Sequence, residues 1–413
     1  LFKITSLNSF SVALKIGIGL ITSKILAIFV GPSGIALIGN LRNFLTSLEN
    51  ISTLGFQNGI VKYVAENEKS RLELQKIVST VFITLIGSAL FISGILFCTA
   101  WYWNEKIFGN NTEYLIVFKV LAFVLPTYGL SIFFVALING LGRFKKVIGI
   151  NIIGNIFGLL TSIFLIVQFK TVGALMATII APALLFFVTL YLVQKEIQFF
   201  QFIKLETFDF KVLKNLSSYS LMTLVSSVFG PFVFLEIRNH IIQNLGIEQA
   251  GYWETITRIS SYYLMFISAI LSIYFLPKLS KAQNDQETKS IFLKYYKYIL
   301  PIFVFALLII YFARFFVVQL LFTKEFLPVA NLFFWQLLGD ILKVCALILG
   351  YQFFAKRKTL MFILTEFFSL SVLYFSSLYF IKEFQIEGVV MAYAFDNLVY
   401  LIVLISYFRK SLF

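Results

Sequence analysis

Of 413 residues, 59% are hydrophobic and only 13% are charged, against about 25% charged in ordinary soluble domains; this excludes a soluble globular protein and indicates a polytopic membrane protein. The net charge of +14 would suit nucleic acid, but basic residues beside membrane spans are first of all topology signals, so no nucleic-acid partner is expected. Cys98 and Cys345 lie inside apolar runs and His240 has no Cys or His company, so neither a disulfide, a metal site nor any cofactor is indicated.

Taken in chain order, twelve apolar stretches are long enough to cross a bilayer as helices of about 20 residues. They run approximately Ile4–Val30, Ile35–Val64, Leu74–Trp101, Tyr114–Gly140, Val147–Phe169, Val172–Val193, Leu216–Ile242, Ala250–Phe275, Tyr298–Leu321, Val329–Phe354, Leu360–Ile381 and Gly388–Tyr407. Leu7 to Val30 is too long for a signal-peptide apolar region and lacks a small-residue cleavage site, so it reads as the first permanent span. Basic residues concentrate in alternate connections: Lys62 to Lys76, Arg143 to Lys146, Lys195 to Lys214, Lys278 to Lys297, Lys356 to Lys358 and Arg409-Lys410, together with Lys3. The other connections hold only Lys106, Lys170, Lys324 and Lys382. The positive-inside rule then places both termini in the cytoplasm.

The stretch from Gly31 to Lys62 opens on a tight reversal, Gly31-Pro32-Ser33-Gly34, and carries Arg42 inside an apolar run. Arg42 lies about 12 Å below the turn at about 1.5 Å per residue, a depth where arginine costs on the order of 2.5–3.5 kcal/mol on insertion scales. The stretch recurs: Arg42 matches Arg258 and Lys62 matches Lys278, each 216 residues on, and Gly251-Tyr252-Trp253-Glu254 opens the second copy. With six spans on either side of Lys195 to Lys214, the halves read as a duplicated pair: an N-lobe 1–195, a cytoplasmic linker 196–213 in which Phe199-Phe200-Gln201-Phe202 could lie in the interface, and a C-lobe 214–413. The expected fold is all-α, two pseudo-symmetric six-helix lobes around a central cavity.

Charges inside spans are the candidate functional residues, because each is expensive in hydrocarbon. Arg42, Thr46, Glu49 and Thr53 form one polar stripe at helical spacing. It either lines a cavity where Arg42 meets an anionic group, or Arg42 and Glu49 neutralise each other. Glu254 and Arg258, four residues apart, allow a self-contained pair or a second anion contact. Lys15 lies near the midplane; Lys24 lies near enough to a span end to snorkel. Gln336, Asp340 and Lys343 form a further stripe: an acid beside a base suits a proton-linked carrier and also a static ion pair. Lys119, Arg314, Glu366 and Asp396 are single charges whose facing the sequence leaves open. Nucleophile–base constellations, Walker loops and large catalytic loops are not evident, so an enzyme is not expected.

Several strings carry a family resemblance: Leu14-Lys15-Ile16-Gly17-Ile18-Gly19, Val30-Gly31-Pro32-Ser33-Gly34, Asn58-Gly59-Ile60-Val61-Lys62-Tyr63-Val64-Ala65, Tyr274-Phe275-Leu276-Pro277-Lys278-Leu279-Ser280, and Trp335-Gln336-Leu337-Leu338-Gly339-Asp340-Ile341-Leu342-Lys343. The chain resembles the Wzx group of O-antigen and enterobacterial-common-antigen translocases, in the superfamily that includes lipid II flippases and multidrug MATE carriers. That resemblance implies a flippase of the bacterial inner membrane that moves undecaprenyl-pyrophosphate-linked oligosaccharide from the cytoplasmic to the periplasmic leaflet by alternating access. An ion gradient or membrane potential would drive it, with a polymerase and chain-length regulator of the same pathway as further partners beside membrane lipids. It implies charged cavity residues at Lys15, Lys24, Arg42, Asp340 and Lys343, of which the cations would meet the anionic head; the internal repeat adds Arg258 as an anion contact, and the residues themselves put Glu49 and Glu254 beside Asp340 for coupling or charge balance. The alternatives are a MATE-like small-molecule antiporter, whose cavity would lean acidic and aromatic, or a membrane glycan polymerase or ligase.

Overall fold

The computed structural model describes residues 2–109 and 111–412, leaving Leu1, Asn110 and Phe413 outside the described residues. Helices dominate throughout, as they must where a chain crosses hydrocarbon and each backbone N–H and C=O has to be satisfied within its own segment. In chain order they are α1 Phe2–Phe29, α2 Gly31–Ser52, α3 Gln57–Asn67, α4 Arg71–Cys98, α5 Ala100–Phe108, α6 Leu115–Gly140, α7 Phe144–Ile197, α8 Phe199–Phe202, α9 Phe210–Leu245, α10 Ile247–Ile270, α11 Leu276–Lys281, α12 Asp285–Phe312, α13 Arg314–Leu321, α14 Val329–Ala355, α15 Thr359–Tyr407 and α16 Arg409–Leu412. Eight helices among the described residues are long and apolar enough to cross a membrane.

Two of these are hairpins. Non-helical dihedrals at Lys170 and Gln385 divide α7 and α15 into antiparallel arms. Each reversal is closed by a glycine three residues on. A Cβ on Gly173 would meet the Leu165 carbonyl oxygen at 1.8 Å, and one on Gly388 the Phe380 carbonyl oxygen at 2.1 Å. The flanking sequences match position for position, Phe169, Gly173, Met176 and Ala177 against Phe384, Gly388, Met391 and Ala392. Other left-handed turns recur at the same spacing: Gly31 with Gly246, and Gly142 with Arg357, each pair 215 residues apart. The repeat is therefore written in the backbone as well as in the charges.

Packing divides the chain into two compact units. One holds α1 with Leu37–Phe232; the other holds Gly31–Ala36 with everything from Val233 onward. The division between them falls within α9, whereas the sequence places its boundary in the connection 196–213. In the first unit that connection is packed down. Phe199 and Phe202 are buried, and the Phe199 ring lies edge-on to Phe134 at 4.9 Å and Phe82 at 5.3 Å. The Ser79 and Thr80 hydroxyls of α4 accept the Lys204 and Asp209 backbone N–H groups. Within this unit Glu196 meets Arg143 and Lys146 at one end of the α7 hairpin, so the lone Lys170 marks the opposite tip.

Two expected spans are corrected. Ile35–Val64 is not continuous: α2 stops at Ser52, the chain turns with Leu54 and Gly55 at φ 52° and 64°, and α3 resumes at Gln57. The resumed helix packs on α6 at Gly140, where any Cβ would lie 2.7 Å from that of Val64. The span expected at Tyr298–Leu321 begins earlier, at Asp285, where the Asn284 side chain caps α12 by accepting the Glu287 N–H at 2.8 Å. It ends at Phe312, and Arg314 opens a separate helix with its guanidinium over the Tyr311 ring at 4.4 Å.

The hairpin glycines make a direct test. Gly388→Ala should lower stability in detergent by about 1–3 kcal/mol or more, because the clash is with backbone. Gly87→Ala, where a Cβ meets nothing within 4 Å, should be neutral or stabilising by up to about 1 kcal/mol. Thermal unfolding of the two purified variants separates these outcomes.

Candidate functional site

In the first unit, Lys15 is exposed on α1, whereas Lys24 and Arg42 are half-buried. The expected stripe on α2 is only partly available to a ligand. The Thr46 hydroxyl donates to the Arg42 carbonyl and that of Thr53 to the Glu49 carbonyl, both at 2.9 Å, the common fate of Ser and Thr in apolar helices. Thr53 also lies past the end of α2. Glu49 shares a hydrogen bond with the Tyr128 side chain of α6 rather than facing Arg42 as its mate. Lys119 is exposed on α6.

The second unit holds a buried ionic cluster across the turn at Gly246. Glu254 is 0% exposed and Arg238, one helix earlier, 1%; a guanidinium nitrogen of Arg238 donates to the Glu254 carboxylate at 2.6 Å. Arg258 stands on the other side of the carboxylate, its Nε at 4.0 Å. The Arg238 guanidinium also lies 5.1 Å from the Trp253 ring, which stacks on Phe234 at 5.7 Å and 6°. Cation–π contact of this kind holds a charged plane where water is scarce. Glu254 is thus paired with Arg238, which lies inside the expected span Leu216–Ile242; their sixteen-residue separation across Gly246 hides the contact from helical spacing. Close packing is enforced where Gly251 faces Pro32, since a Cβ there would sit 2.1 Å from the Pro32 carbonyl oxygen.

A second cluster explains the string from Trp335 to Lys343. Gly339 has no side chain because Tyr393 of α15 occupies that place; a Cβ would be 2.5 Å from the ring. So placed, the Tyr393 hydroxyl donates to Asp340 at 2.8 Å. The Ser260 hydroxyl of α10 donates to both Asp340 oxygens at 2.8 Å, Tyr263 donates at 2.5 Å, and the Gln336 amide approaches at 3.4 Å. Asp340 is 0% exposed, and its charge is met by oriented hydroxyls. Lys343 follows it by three residues, its ammonium 5.5 Å from the centre of the Tyr393 ring, and its charge still reaches Asp340. The expected Asp340–Lys343 pair is not a direct contact.

Lys343 instead enters a cavity of 260 Å³ between α14 and the two arms of α15. Glu366 and Ser369 line it from one arm, Tyr393, Asp396, Asn397 and Tyr400 from the other, and Phe234, Leu347 and Leu373 supply apolar wall. The Ser369 hydroxyl donates to Asp396 at 2.8 Å. Glu366 and Asp396, single charges of unknown facing in the sequence, are thus brought together by the reversal at Gln385. Among the described residues no group of His, Cys, Asp and Glu is arranged to hold a metal ion.

The sequence model of the family described as "Polysaccharide biosynthesis protein" matches residues 25–331. The chain belongs to that family. It is 29% identical over 394 residues to the lipid III flippase of Escherichia coli (strain K12), a match that covers 94% of each chain; the same match is found with the lipid III flippase of Shigella flexneri. Its fold is that of a multidrug resistance MATE family transporter of the MOP superfamily in an inward-facing conformation (TM-score 0.74, 15% identity, covering 95% of this chain and 94% of the other). It is equally that of the lipid II flippase MurJ in an inward closed conformation (TM-score 0.72, 16% identity, 99% and 88%). The protein is an all-α polytopic membrane protein of this family, as the apolar spans and the motif strings imply.

The buried arginine cluster yields a stability test. Arg238→Met removes the partner at 2.6 Å from the Glu254 carboxylate in a dry site and should cost about 3 kcal/mol, the lower end of what breaking a buried pair costs. Lys76→Met, which removes an exposed partner of Glu73, should leave the unfolding temperature unchanged. Denaturation of both proteins in the same detergent checks the contrast.

Proposed function

We propose that this protein is a flippase that carries a lipid-linked oligosaccharide across the bacterial inner membrane, from the cytoplasmic to the periplasmic leaflet. The observation that carries this reading is the match to the lipid III flippase along nearly the whole of both chains. A polyprenyl diphosphate presents two negatively charged phosphates and a polar glycan, while its tail is at home in lipid. Moving that head through hydrocarbon requires internal cations, and this chain carries basic residues inside its spans at Lys24, Arg42, Arg238 and Arg258.

Arg42 and Arg258 are the proposed anion contacts, with Lys15 and Lys24 guiding the head on and off; Lys343, set among carboxylates, serves charge balance instead. Glu49, Glu254 and Asp340 temper the positive field, because a site lined only by cations would trap its substrate. The work is transport rather than covalent chemistry. Alternating access exposes the binding groups to the two leaflets in turn. Both termini would then lie in the cytoplasm, where the basic connections belong. An O-antigen or common-antigen repeat unit is the proposed cargo, and the polymerase and chain-length regulator that act on it next are the proposed partners.

Reconstitution into liposomes with undecaprenyl-pyrophosphate-linked oligosaccharide tests this reading. Arg42→Ala should reduce translocation about tenfold or more, since a hydrogen bond to a charged group contributes about 1.5–3 kcal/mol, while the amount of inserted protein stays the same. Undiminished transport by the Arg42 variant would remove the proposed contact, and absence of transport by the unaltered protein would remove the function.

A further inference from the structure

The internal repeat breaks at one charge. In the first unit Glu196 pairs with Arg143 at 3.0 Å and with Lys146. At the repeat spacing of 215 residues Arg143 returns as Lys358 and Lys195 as Lys410, but the place of Glu196 is taken by Ser411. The cations stay and the acid is gone. Around Ser411 lies a cavity of 480 Å³, bounded by the α11–α12 connection, the end of α14 with its turn into α15, and α16. Its floor is polar and dry: Thr288, Gln352 and Ser411 are 2%, 5% and 7% exposed. Lys356, Lys358 and Lys410 stand around it, and Asp285 is the one carboxylate among the described residues that line it. Asp285 accepts from the Ser411 hydroxyl, Lys356 donates to the Ala282 carbonyl, and Lys358 lies 5.1 Å from the centre of the Tyr407 ring. Glu287, near by, accepts the Gln283 N–H at 2.9 Å and the Asn284 amide at 3.4 Å. Three ammonium groups against one lining acid make the cavity electropositive. The side-chain oxygen of Gln352, in its floor, has no hydrogen-bond partner, and a buried acceptor without a donor is costly.

We propose that this cavity binds the headgroup of an anionic phospholipid that carries free hydroxyls, as phosphatidylglycerol does. The phosphodiester sits among Lys356, Lys358 and Lys410, and a glycerol hydroxyl donates to Gln352. Each part of the ligand answers a feature of the site. The surplus of cations calls for an anion, and the orphaned oxygen of Gln352 calls for a donor, which a bare phosphate diester lacks. Apolar surface continues from the basic rim: Leu360, two residues past Lys358, is 64% exposed, and Leu293, about two turns into α12, is 55% exposed, so acyl chains have a place to lie. Basic pockets at the ends of spans are where anionic lipid heads are held. The connections that bound this one are among those the positive-inside rule assigns to the cytoplasm, so the lipid comes from that leaflet. None of the groups proposed to meet the transported glycan is used here, and the site stands or falls without transport.

Lipid titrations of the purified protein in detergent, read by native mass spectrometry, test the proposal. Phosphatidylglycerol should bind about tenfold or more tighter than zwitterionic phosphatidylethanolamine. It should also bind about threefold or more tighter than phosphatidylethanol, which has the same charge and no hydroxyl. Gln352→Leu should erase the second difference and keep the first. Combining Lys356→Gln, Lys358→Gln and Lys410→Gln should remove the tight phosphatidylglycerol site, and Ser411→Glu, which restores the acid of the first unit, should weaken it in the same direction. Arg143→Gln, at the matching place in the first unit, should leave it intact. Circular dichroism and gel filtration confirm that each variant is folded, and the comparison of lipids on the unaltered protein needs no variant at all. The proposal is overturned if the three lipids bind alike, if the triple lysine variant retains the site, or if inorganic phosphate displaces the lipid. A preference of these lysines for undecaprenyl diphosphate over phosphatidylglycerol overturns it as well, by making the cavity part of the path of the cargo. The reconstituted flipping assay is free to succeed or fail independently.

Discussion

A charge carried into hydrocarbon has to find its counter-charge or its donors inside the protein, and this chain carries several. Glu254, with no exposed surface, meets Arg238 at 2.6 Å and has Arg258 on its other side at 4.0 Å. Asp340, equally buried, collects three hydroxyls and an amide from three helices. These contacts constrain the backbone around them. Gly339 must stay bare so that Tyr393 can reach Asp340, and Gly246 must turn so that α9 and α10 bring Arg238 to Glu254. Polar groups whose removal of one partner would strand another in a dry interior hold their helices in a single register.

Within the second unit the charges fall into two sorts. Beside Glu254 the Arg238 guanidinium lies over the Trp253 ring, which in turn stacks on Phe234. Further along, Glu366 and Asp396 outnumber Lys343 in a cavity with apolar walls. The two places are neighbours in the fold: Arg258 and Ser260 are two residues apart on α10, and Ser260 holds Asp340 of α14.

Much of the architecture is legible in the residues themselves. Apolar runs mark the helices, Gly31-Pro32-Ser33-Gly34 marks a turn, and the spacing from Gln336 to Lys343 marks a polar face on α14. What stays hidden depends on the chain doubling back. Arg238 and Glu254 meet across a turn, and Glu366 and Asp396 meet only because Gln385 reverses α15. The shared pattern at Phe169, Gly173, Met176 and Ala177 and again at Phe384, Gly388, Met391 and Ala392 does carry that reversal, but a glycine in an apolar run resembles any packing glycine until its neighbour is known. The end of α2 is hidden for a related reason: Leu54 adopts a left-handed conformation that leucine resists, and no local preference announces it. The connection 196–213 looks polar enough to be loose, yet Ser79 and Thr80 bind its backbone to α4.

Native mass spectrometry of the protein released from membranes that make lipid-linked glycan tests most directly whether its internal cations serve a lipid diphosphate. A carrier of that substrate predicts a bound mass equal to a polyprenyl diphosphate bearing a short oligosaccharide, retained at activation energies that strip ordinary phospholipid. A protein that retains only bulk phospholipid, or a small cationic compound, under the same conditions would contradict it.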